Sequence, residues 1–112
     1  IKMSKNKSFS TETSERYARA LFEVSNESSE LNKIENDIIN FKLILNNSPD
    51  LKNFLKNPTQ TSDTQNKAIK LISEKLNFSK NLNNFFLLLV EKKRIFFIEK
   101  ILTSFLKLCA KK

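Results

Sequence analysis

The side chains of this chain that could take part in chemistry are carboxylates and cations. Four glutamates recur at helical spacing: Glu12, Glu15, Glu23 and Glu27. Glu35 and Asp37 lie two residues apart, so on a helix they point to different sides. The 112 residues contain no His, no Gly and one Cys, Cys109, which excludes Ser-His-Asp and Cys-His catalysis, glycine-rich phosphate loops and zinc clusters. We therefore predict no catalytic site, no metal and no cofactor, and interpret the carboxylates as solvent-facing rows.

The cations concentrate in the second half of the chain. The net charge is +8, and residues 80–112 carry +6 of it. The run Lys92-Lys93-Arg94 is followed by Phe96 and Phe97, and basic residues beside aromatic rings are typical of surfaces that bind single-stranded nucleic acid. A basic helical nucleic-acid-binding module is therefore one hypothesis. The spacing favours the alternative, a charged helix end beside a buried apolar stripe.

The elements that must carry these residues are predicted to be helices. Gly is absent, and nothing shows strand alternation. Apolar periodicity and capping residues predict six helices, over about residues 10–25, 28–45, 49–56, 62–76, 80–92 and 95–110. Their expected starts are the Ser10–Glu15 group, Ser28-Ser29, Ser48 before Pro49, a capping box beginning at Ser62, and Ser79.

The predicted fold class is all-α, a compact six-helix bundle. The domain is expected over residues 12–110, with a flexible segment at 1–11 and a tail at 111–112. We expect Phe41, Phe85 and Phe105 to face inward, together with Ala68, Ile69, Ile72 and Leu76 of the fourth helix. The longest apolar run is far shorter than the ~20 residues of a membrane-spanning helix.

The fifth helix contains the uninterrupted apolar run Phe85–Val90, which covers its whole circumference. Such a helix is either surrounded or keeps one apolar face open for a partner. The first helix has an apolar stripe with the small residues Ala18 and Ala20 beside it. A groove between these two helices would accept an amphipathic helix from another protein. The alternative is that other helices of the same bundle fill that space.

Three blocks in order resemble one known family. They are Tyr17–Val24 (YARALFEV), Ser48–Pro58 (SPDLKNFLKNP) and Asn84–Arg94 (NFFLLLVEKKR). Together, and with Phe105 and Leu108 near the end, they are similar to the N-terminal domain of the delta subunit of bacterial F-type ATP synthase. Its mitochondrial counterpart is the oligomycin sensitivity-conferring protein. The resemblance covers about Ser14 to Leu108.

The resemblance implies a six-helix domain with a mechanical role. It implies a peripheral-stalk (stator) subunit that keeps the catalytic head from turning with the rotor, so that proton-driven rotation is coupled to ATP synthesis. The implied partner is the N-terminal helix of an alpha subunit. It would lie between the first and fifth helices, against Tyr17, Ala20, Leu21, Val24, Asn84, Leu88 and Glu91.

The same resemblance implies where the protein resides and what else it meets. It implies a peripheral position on the cytoplasmic face of the bacterial inner membrane, or on the matrix side in a mitochondrion. No small-molecule substrate and no nucleic acid are expected, and the isolated domain is expected to be a monomer. In the family, a second, C-terminal domain meets the b-type stalk subunit, and nothing in this sequence corresponds to it. Lys92-Lys93 makes the rim of the groove more basic than the family pattern.

Overall fold

Six α-helices and one 3-10 turn account for most of the chain in the computed structural model, which describes residues 8–111. The helices are α1 (Phe9–Glu27), α2 (Leu31–Asn47), α3 (Pro49–Lys56), α4 (Ser62–Leu76), α5 (Lys80–Glu91) and α6 (Ile98–Lys111), and the 3-10 turn is Ile95–Phe97. No strand occurs in the described range. The predicted all-α fold of six helices is confirmed.

Helix ends in this chain have to be made without glycine. α1, α4 and α5 each lead into a residue with left-handed backbone: Ser29 (φ 58°), Asn77 (φ 54°) and Lys93 (φ 61°). The next N–H then bonds back five residues, as in Arg94 N to Leu89 O at 2.7 Å. This is the Schellman geometry, in which a non-glycine residue costs roughly 1–2 kcal/mol. These ends turn the chain within a few residues and keep the connections short.

The N-caps of α2 and α4 differ from the sequence prediction. Ser28-Ser29 does not cap α2: Ser28 ends α1, Ser29 takes the left-handed position, and the residue before α2 is Glu30, which makes no side-chain cap. α4 is capped one residue earlier than predicted, because Thr61 Oγ1 accepts the Thr64 N–H at 3.1 Å. Ser48 and Ser79 are N-caps as predicted.

The ends of the domain also differ in detail. α1 begins at Phe9, because Ser8 Oγ accepts the Thr11 N–H at 3.1 Å and so supplies the cap. Residues 9–11 of the segment expected to be flexible therefore form the first turn of α1, whereas residues 1–7 lie outside the described residues. Lys111 is the last residue of α6, and the tail residue Lys112 lies outside the described range. The sixth helix starts later than expected, at Ile98, after the 3-10 turn.

The core is built from phenylalanine and branched aliphatic side chains. Phe41, Phe85 and Phe105 are all buried, so the predicted inward facing is confirmed. α6 packs most extensively against α1, whose buried stripe contains the small residues Ser14, Ala18 and Ser25 as well as Leu21. Small side chains allow two helix axes to approach closely. Leu76 of α4, expected inward, is 38% exposed because it occupies the last turn of a helix that packs mainly on α5.

Salt bridges from one carboxylate join the start of α6 to α3. Glu99 pairs with Lys56 at 2.8 Å and with Lys52 at 3.2 Å. The hydrogen bond from Lys56 lowers the pKa of the Glu99 carboxyl below its ordinary value, although partial burial opposes the shift. The first-turn position of Glu99 adds a favourable interaction with the positive end of the α6 dipole.

Replacing Glu99 by Gln should make the free energy of unfolding depend less on pH in the acidic range. A lowered folded-state pKa means that the carboxylate stabilises the fold above the ordinary value of 4.5 and that this contribution is lost as pH falls through the lowered value. Because the pair is partly exposed, we expect a loss of at most about 1 kcal/mol near pH 7, which shrinks as the pH falls below 4.5 and through the lowered pKa. Urea unfolding at pH 7 and at a series of pH values below 4.5 measures this. Asp63→Asn, which removes the partner of Lys67 on the open surface, is the matched control and should change stability less.

Candidate functional site

The first and fifth helices of the bundle are in direct contact. The rings of Tyr17 and Phe85 meet edge to face, with 6.5 Å between their centroids. Such an arrangement is favourable for aromatic pairs and fixes α1 beside α5. Phe85 was assigned to the core from the sequence, and it is buried, but its contact with Tyr17 also makes it the link between the two predicted walls of the groove. A partner helix at this place would lie over the Tyr17–Phe85 contact.

Five of the seven predicted contact residues have exposed side chains. On α1 these are Ala20 and Val24, and on α5 they are Asn84, Leu88 and Glu91. Val24 is 42% exposed and Leu88 is 39% exposed, which is high for large apolar side chains. Tyr17 is half-buried. We call the exposed surface made by Ala20, Val24, Asn84, Leu88 and Glu91, together with Tyr17, the α1–α5 surface.

Leu21 differs from the other predicted contact residues because it belongs to the core. Its side chain is 1% exposed, whereas Val24, on the same predicted ridge, faces solvent. The ridge is therefore divided: Leu21 packs inward with Ala18, and Ala20 and Val24 are left at the surface. The sequence prediction treated Tyr17, Leu21 and Val24 as one ridge. In the structure, Leu21 belongs to the core beneath that surface and not to the surface itself.

A buried polar network holds the start of α5 against α2. Asp37 Oδ2 accepts the Ser79 backbone N–H at 2.9 Å, and Asp37 Oδ1 accepts from Lys33 Nζ at 2.9 Å. Glu30 Oε1 accepts from Ser79 Oγ at 2.7 Å and from Asn81 Nδ2 at 3.0 Å. The two carboxylates thus satisfy polar groups at the N-terminal end of α5, where helices have free N–H groups and favour negative charge. This network sets which face of α5 points outward.

Asp37 is a structural residue that the sequence prediction does not identify. The two-residue distance from Glu35 says nothing of its position on the apolar stripe of α2. Ile34, Asp37 and Phe41 follow the three–four spacing of that stripe, so the pattern already places the carboxylate on the buried face. A charged side chain at such a position needs a partner, and the Ser79 N–H and Lys33 provide it.

The α1–α5 surface combines apolar and polar side chains and offers little for catalysis. Val24 and Leu88 contribute exposed apolar side chains, Ala20 contributes a small one, and Asn84 and Glu91 contribute polar groups on α5. Within residues 8–111, no group of three His, Cys, Asp or Glu side chains is placed to hold a metal ion. The predicted carboxylate row is largely solvent-facing, because Glu12, Glu23 and Glu27 are exposed and only Glu15 is half-buried.

The basic and aromatic cluster forms a separate surface around the 3-10 turn. Lys92 and Lys93 are exposed, and Phe96 is 53% exposed, whereas Phe97 is half-buried and Ile98 is buried. The buried apolar stripe expected beside the basic run thus includes Ile98 fully and Phe97 in part. None of the helices in the described part of the chain combines the length and the apolar character that crossing a membrane requires.

The fold and the α1–α5 surface define a small all-helical domain, in which an open apolar surface lies on two adjacent helices. Comparison with known proteins then identifies the family. The family model described as "ATP synthase delta (OSCP) subunit" matches residues 13–112. The chain therefore belongs to the ATP synthase delta (OSCP) subunit family, which consists of structural stalk subunits rather than enzymes.

Individual relatives agree with this assignment. The chain is 37% identical over 110 residues to an ATP synthase subunit delta of Pelagibacter ubique, covering 98% of this chain and 60% of that protein. It is 36% identical to the subunit delta of Fuscovulum blasticum, covering 96% and 58%, and 36% identical to that of Gloeothece citriformis, covering 93% and 56%. The chain thus spans somewhat more than half the length of these relatives.

Proposed function

We propose that this chain acts in the peripheral stalk of an F-type ATP synthase and binds the N-terminal helix of an alpha subunit on the α1–α5 surface. It would hold the catalytic head against rotation, so that proton-driven turning of the rotor is coupled to ATP synthesis. The observation that carries the proposal is the pair of exposed apolar side chains, Val24 and Leu88, on two helices that are in contact. Membership of the ATP synthase delta (OSCP) subunit family supports the assignment to the stalk.

The chemistry of the surface favours a helix as the partner. An amphipathic helix presents apolar side chains three and four residues apart, which suits exposed apolar side chains on two helices in contact. Asn84, Leu88 and Glu91 share one face of α5 at four- and three-residue spacing, so a partner meeting Leu88 also passes the amide of Asn84 and the carboxylate of Glu91. These two polar groups would fix the register of the bound helix.

The proposal also fixes location and further contacts. The domain would be peripheral, on the cytoplasmic face of a bacterial inner membrane or on the matrix side of a mitochondrial one, held there by the ATP synthase complex. We assign contact with the b-type stalk subunit to the C-terminal domain of the family. The isolated domain would be a monomer without a small-molecule substrate.

Titration of the chain with a synthetic peptide of the alpha-subunit N-terminus tests the proposal. We expect saturable binding that changes little between about 50 and 200 mM salt, because burial of apolar surface is not screened. A peptide of the same composition in scrambled order should bind much more weakly. If the peptide does not bind and a single-stranded oligonucleotide binds with a steep salt dependence, the nucleic-acid hypothesis replaces this one.

Leu88→Ala should weaken this binding by about 1–2 kcal/mol, the cost expected for truncating one apolar anchor in a helix-in-groove contact. Isothermal titration with the alpha-subunit peptide measures the effect. Leu76→Ala is the matched control. Leu76 is 38% exposed and Leu88 is 39% exposed, but Leu76 lies at the end of α4. The two variants should have similar stability and different affinity. Equal affinities would remove Leu88 from the contact.

A further inference from the structure

A second depression lies near the C-terminal end of α5, between the end of α3, the start of α4 and the 3-10 turn. Its volume is about 260 Å³. Its apolar floor consists of Leu55, Val90 and Ile95, each at most 4% exposed, with the buried Gln65 beside them. The remaining lining residues are Lys56, Asn57, Pro58, Gln60, Ser62, Lys93, Phe96 and Phe97. We call this depression the Phe96 groove. None of its lining residues belongs to the α1–α5 surface.

The rim of the Phe96 groove is strongly basic. Lys92 and Lys93 are exposed beside it, and Arg94 lies with its guanidinium carbon 5.5 Å from the centre of the Phe9 ring. Lys56 and Lys100 line the adjoining hollow on the other side of Phe96. Within residues 8–111, Glu99 pairs with Lys56, while Lys93 takes part in no ion pair. The cations near Phe96 therefore exceed the acids available to them.

Phe96 itself is exposed for a structural reason. The Schellman end of α5 places Lys93 in left-handed backbone, and the 3-10 turn that follows buries Ile95 and turns Phe96 outward. Its ring meets Phe97 at 5.6 Å between centroids, and Phe97 meets Phe9 at 6.3 Å. Phe9 is 64% exposed. Exposed rings at the edge of an apolar depression are a feature of surfaces that bind other molecules.

From this geometry we infer that the Phe96 groove binds an acidic peptide segment of a partner protein. One large apolar side chain of that segment inserts between Leu55, Val90 and Ile95, and its flanking carboxylates meet Lys93 and the neighbouring cations. Aromatic anchors in pockets with charged rims are the usual source of affinity in such contacts.

The positive charge of this chain argues against two other occupants of the groove, a second copy of the chain and its own N-terminal residues. A second copy carries a net charge of +8, so its approach to a basic rim is repelled. The N-terminal residues 1–7 contain Lys2, Lys5 and Lys7 and no acid, so they also lack the complementary charge. An acidic segment of another protein is the occupant that the rim favours.

The shape of the groove favours a peptide over nucleic acid or a membrane. Bases bind by stacking on flat aromatic surfaces, but the rings of Phe96 and Phe97 stand at 72° to each other and share no flat face. Interfacial membrane binding uses a row of apolar side chains along one face of a helix, whereas the exposed rings here, Phe9 and Phe96, lie on different elements beside a recessed apolar floor. A recessed aliphatic floor suits a single inserted side chain.

The test uses the full 112-residue chain and a fluorescein-labelled, end-blocked peptide, Asp-Glu-Leu-Phe-Glu-Asp, followed by fluorescence anisotropy. Two further peptides separate the apolar from the charged contribution to binding. One has Ser-Ser in place of Leu-Phe, and the other has Lys in place of all four acids. We expect binding of the first peptide only. Binding of the Ser-Ser peptide with equal affinity would overturn the inference, because charge alone would then account for it.

Two variants locate the contact. Phe96→Ala should weaken binding roughly tenfold, and Lys93→Asn should weaken it about threefold or more and reduce its dependence on salt. Asn is chosen because it tolerates the left-handed backbone of Lys93, so the charge is removed without disturbing the turn. The controls are Leu43→Ala, which matches Phe96 in exposure but lies on α2, and Lys80→Gln, at the other end of α5.

The outcomes are distinct. Loss of binding in both rim variants, with both controls and Leu88→Ala within about twofold of the parent chain, supports the inference and separates this groove from the α1–α5 surface. Unchanged binding in both rim variants overturns it. So does tighter binding of an oligothymidylate, or of vesicles containing phosphatidylserine, that is lost in the same variants, since the groove would then serve nucleic acid or lipid.

Discussion

Phe41→Ala should lower the free energy of unfolding by about 3–5 kcal/mol, which is a large share of the stability of a domain of this size. The ring of Phe41 is fully buried and lies 5.0 Å from the ring of Phe86 and 6.0 Å from that of Phe78, centre to centre. These three rings join α2, α5 and the α4–α5 connection. Truncation leaves a cavity where three elements meet, and the neighbours cannot collapse into it without giving up other contacts.

Urea unfolding followed by circular dichroism measures this effect. The midpoint should fall while the slope with urea stays constant, because the change lies in the folded state rather than in the exposed surface. Phe96→Ala is the matched control, since Phe96 is 53% exposed and its loss should leave stability within about 0.5 kcal/mol.

Phe105→Ala should resemble Phe41→Ala. Phe85→Ala should cost less, because Phe85 lies at the edge of the core, against the half-buried Tyr17. A loss below about 1 kcal/mol for Phe41→Ala would contradict the packing described above.

The helices of this bundle could be predicted from the sequence because their apolar periodicity and several caps are local signals. Ser48-Pro49 and Ser79 give unambiguous starts, and Asn57-Pro58 gives a stop, and all are found in place. The errors occur where a choice between neighbouring residues depends on tertiary contacts. The side chain of Gln65, expected to close a capping box, instead lies 3.4 Å from the Phe54 and Leu55 carbonyls at the end of α3. A local motif cannot show that such a carbonyl is within reach.

The candidate site could be predicted less completely, for a related reason. Spacing assigns Tyr17, Leu21 and Val24 to one side of α1, but that side spans about 60° of the helix, and the boundary between core and solvent falls within it. Only the packing of α1 against both α5 and α6 decides that Leu21 is buried and Val24 is exposed. The same limit applies to α5. Its apolar run predicts a helix that is either surrounded or open on one face, and in the structure Leu88 is exposed and Leu87 is half-buried.

Ala20→Arg should abolish binding of the alpha-subunit peptide, a loss of about a hundredfold or more, while leaving the domain folded. Ala20 is exposed on α1 beside Val24, so an arginine there can extend into solvent without overpacking the core. The same side chain would occupy the space that the proposed partner helix needs. The proposal therefore requires a small residue at this position for partner binding and not for folding.

Two alanine-to-arginine controls make the result interpretable. Ala110→Arg places the same charge on an exposed alanine of the last turn of α6 and should alter neither binding nor melting temperature. Ala18→Arg places it at a fully buried position on the same helix and should unfold the domain. Thermal melting and peptide titration are measured on all three variants. If Ala20→Arg melts like the parent chain and binds the alpha-subunit peptide with unchanged affinity, the partner helix lies elsewhere; if it unfolds like Ala18→Arg, Ala20 serves the bundle rather than a partner.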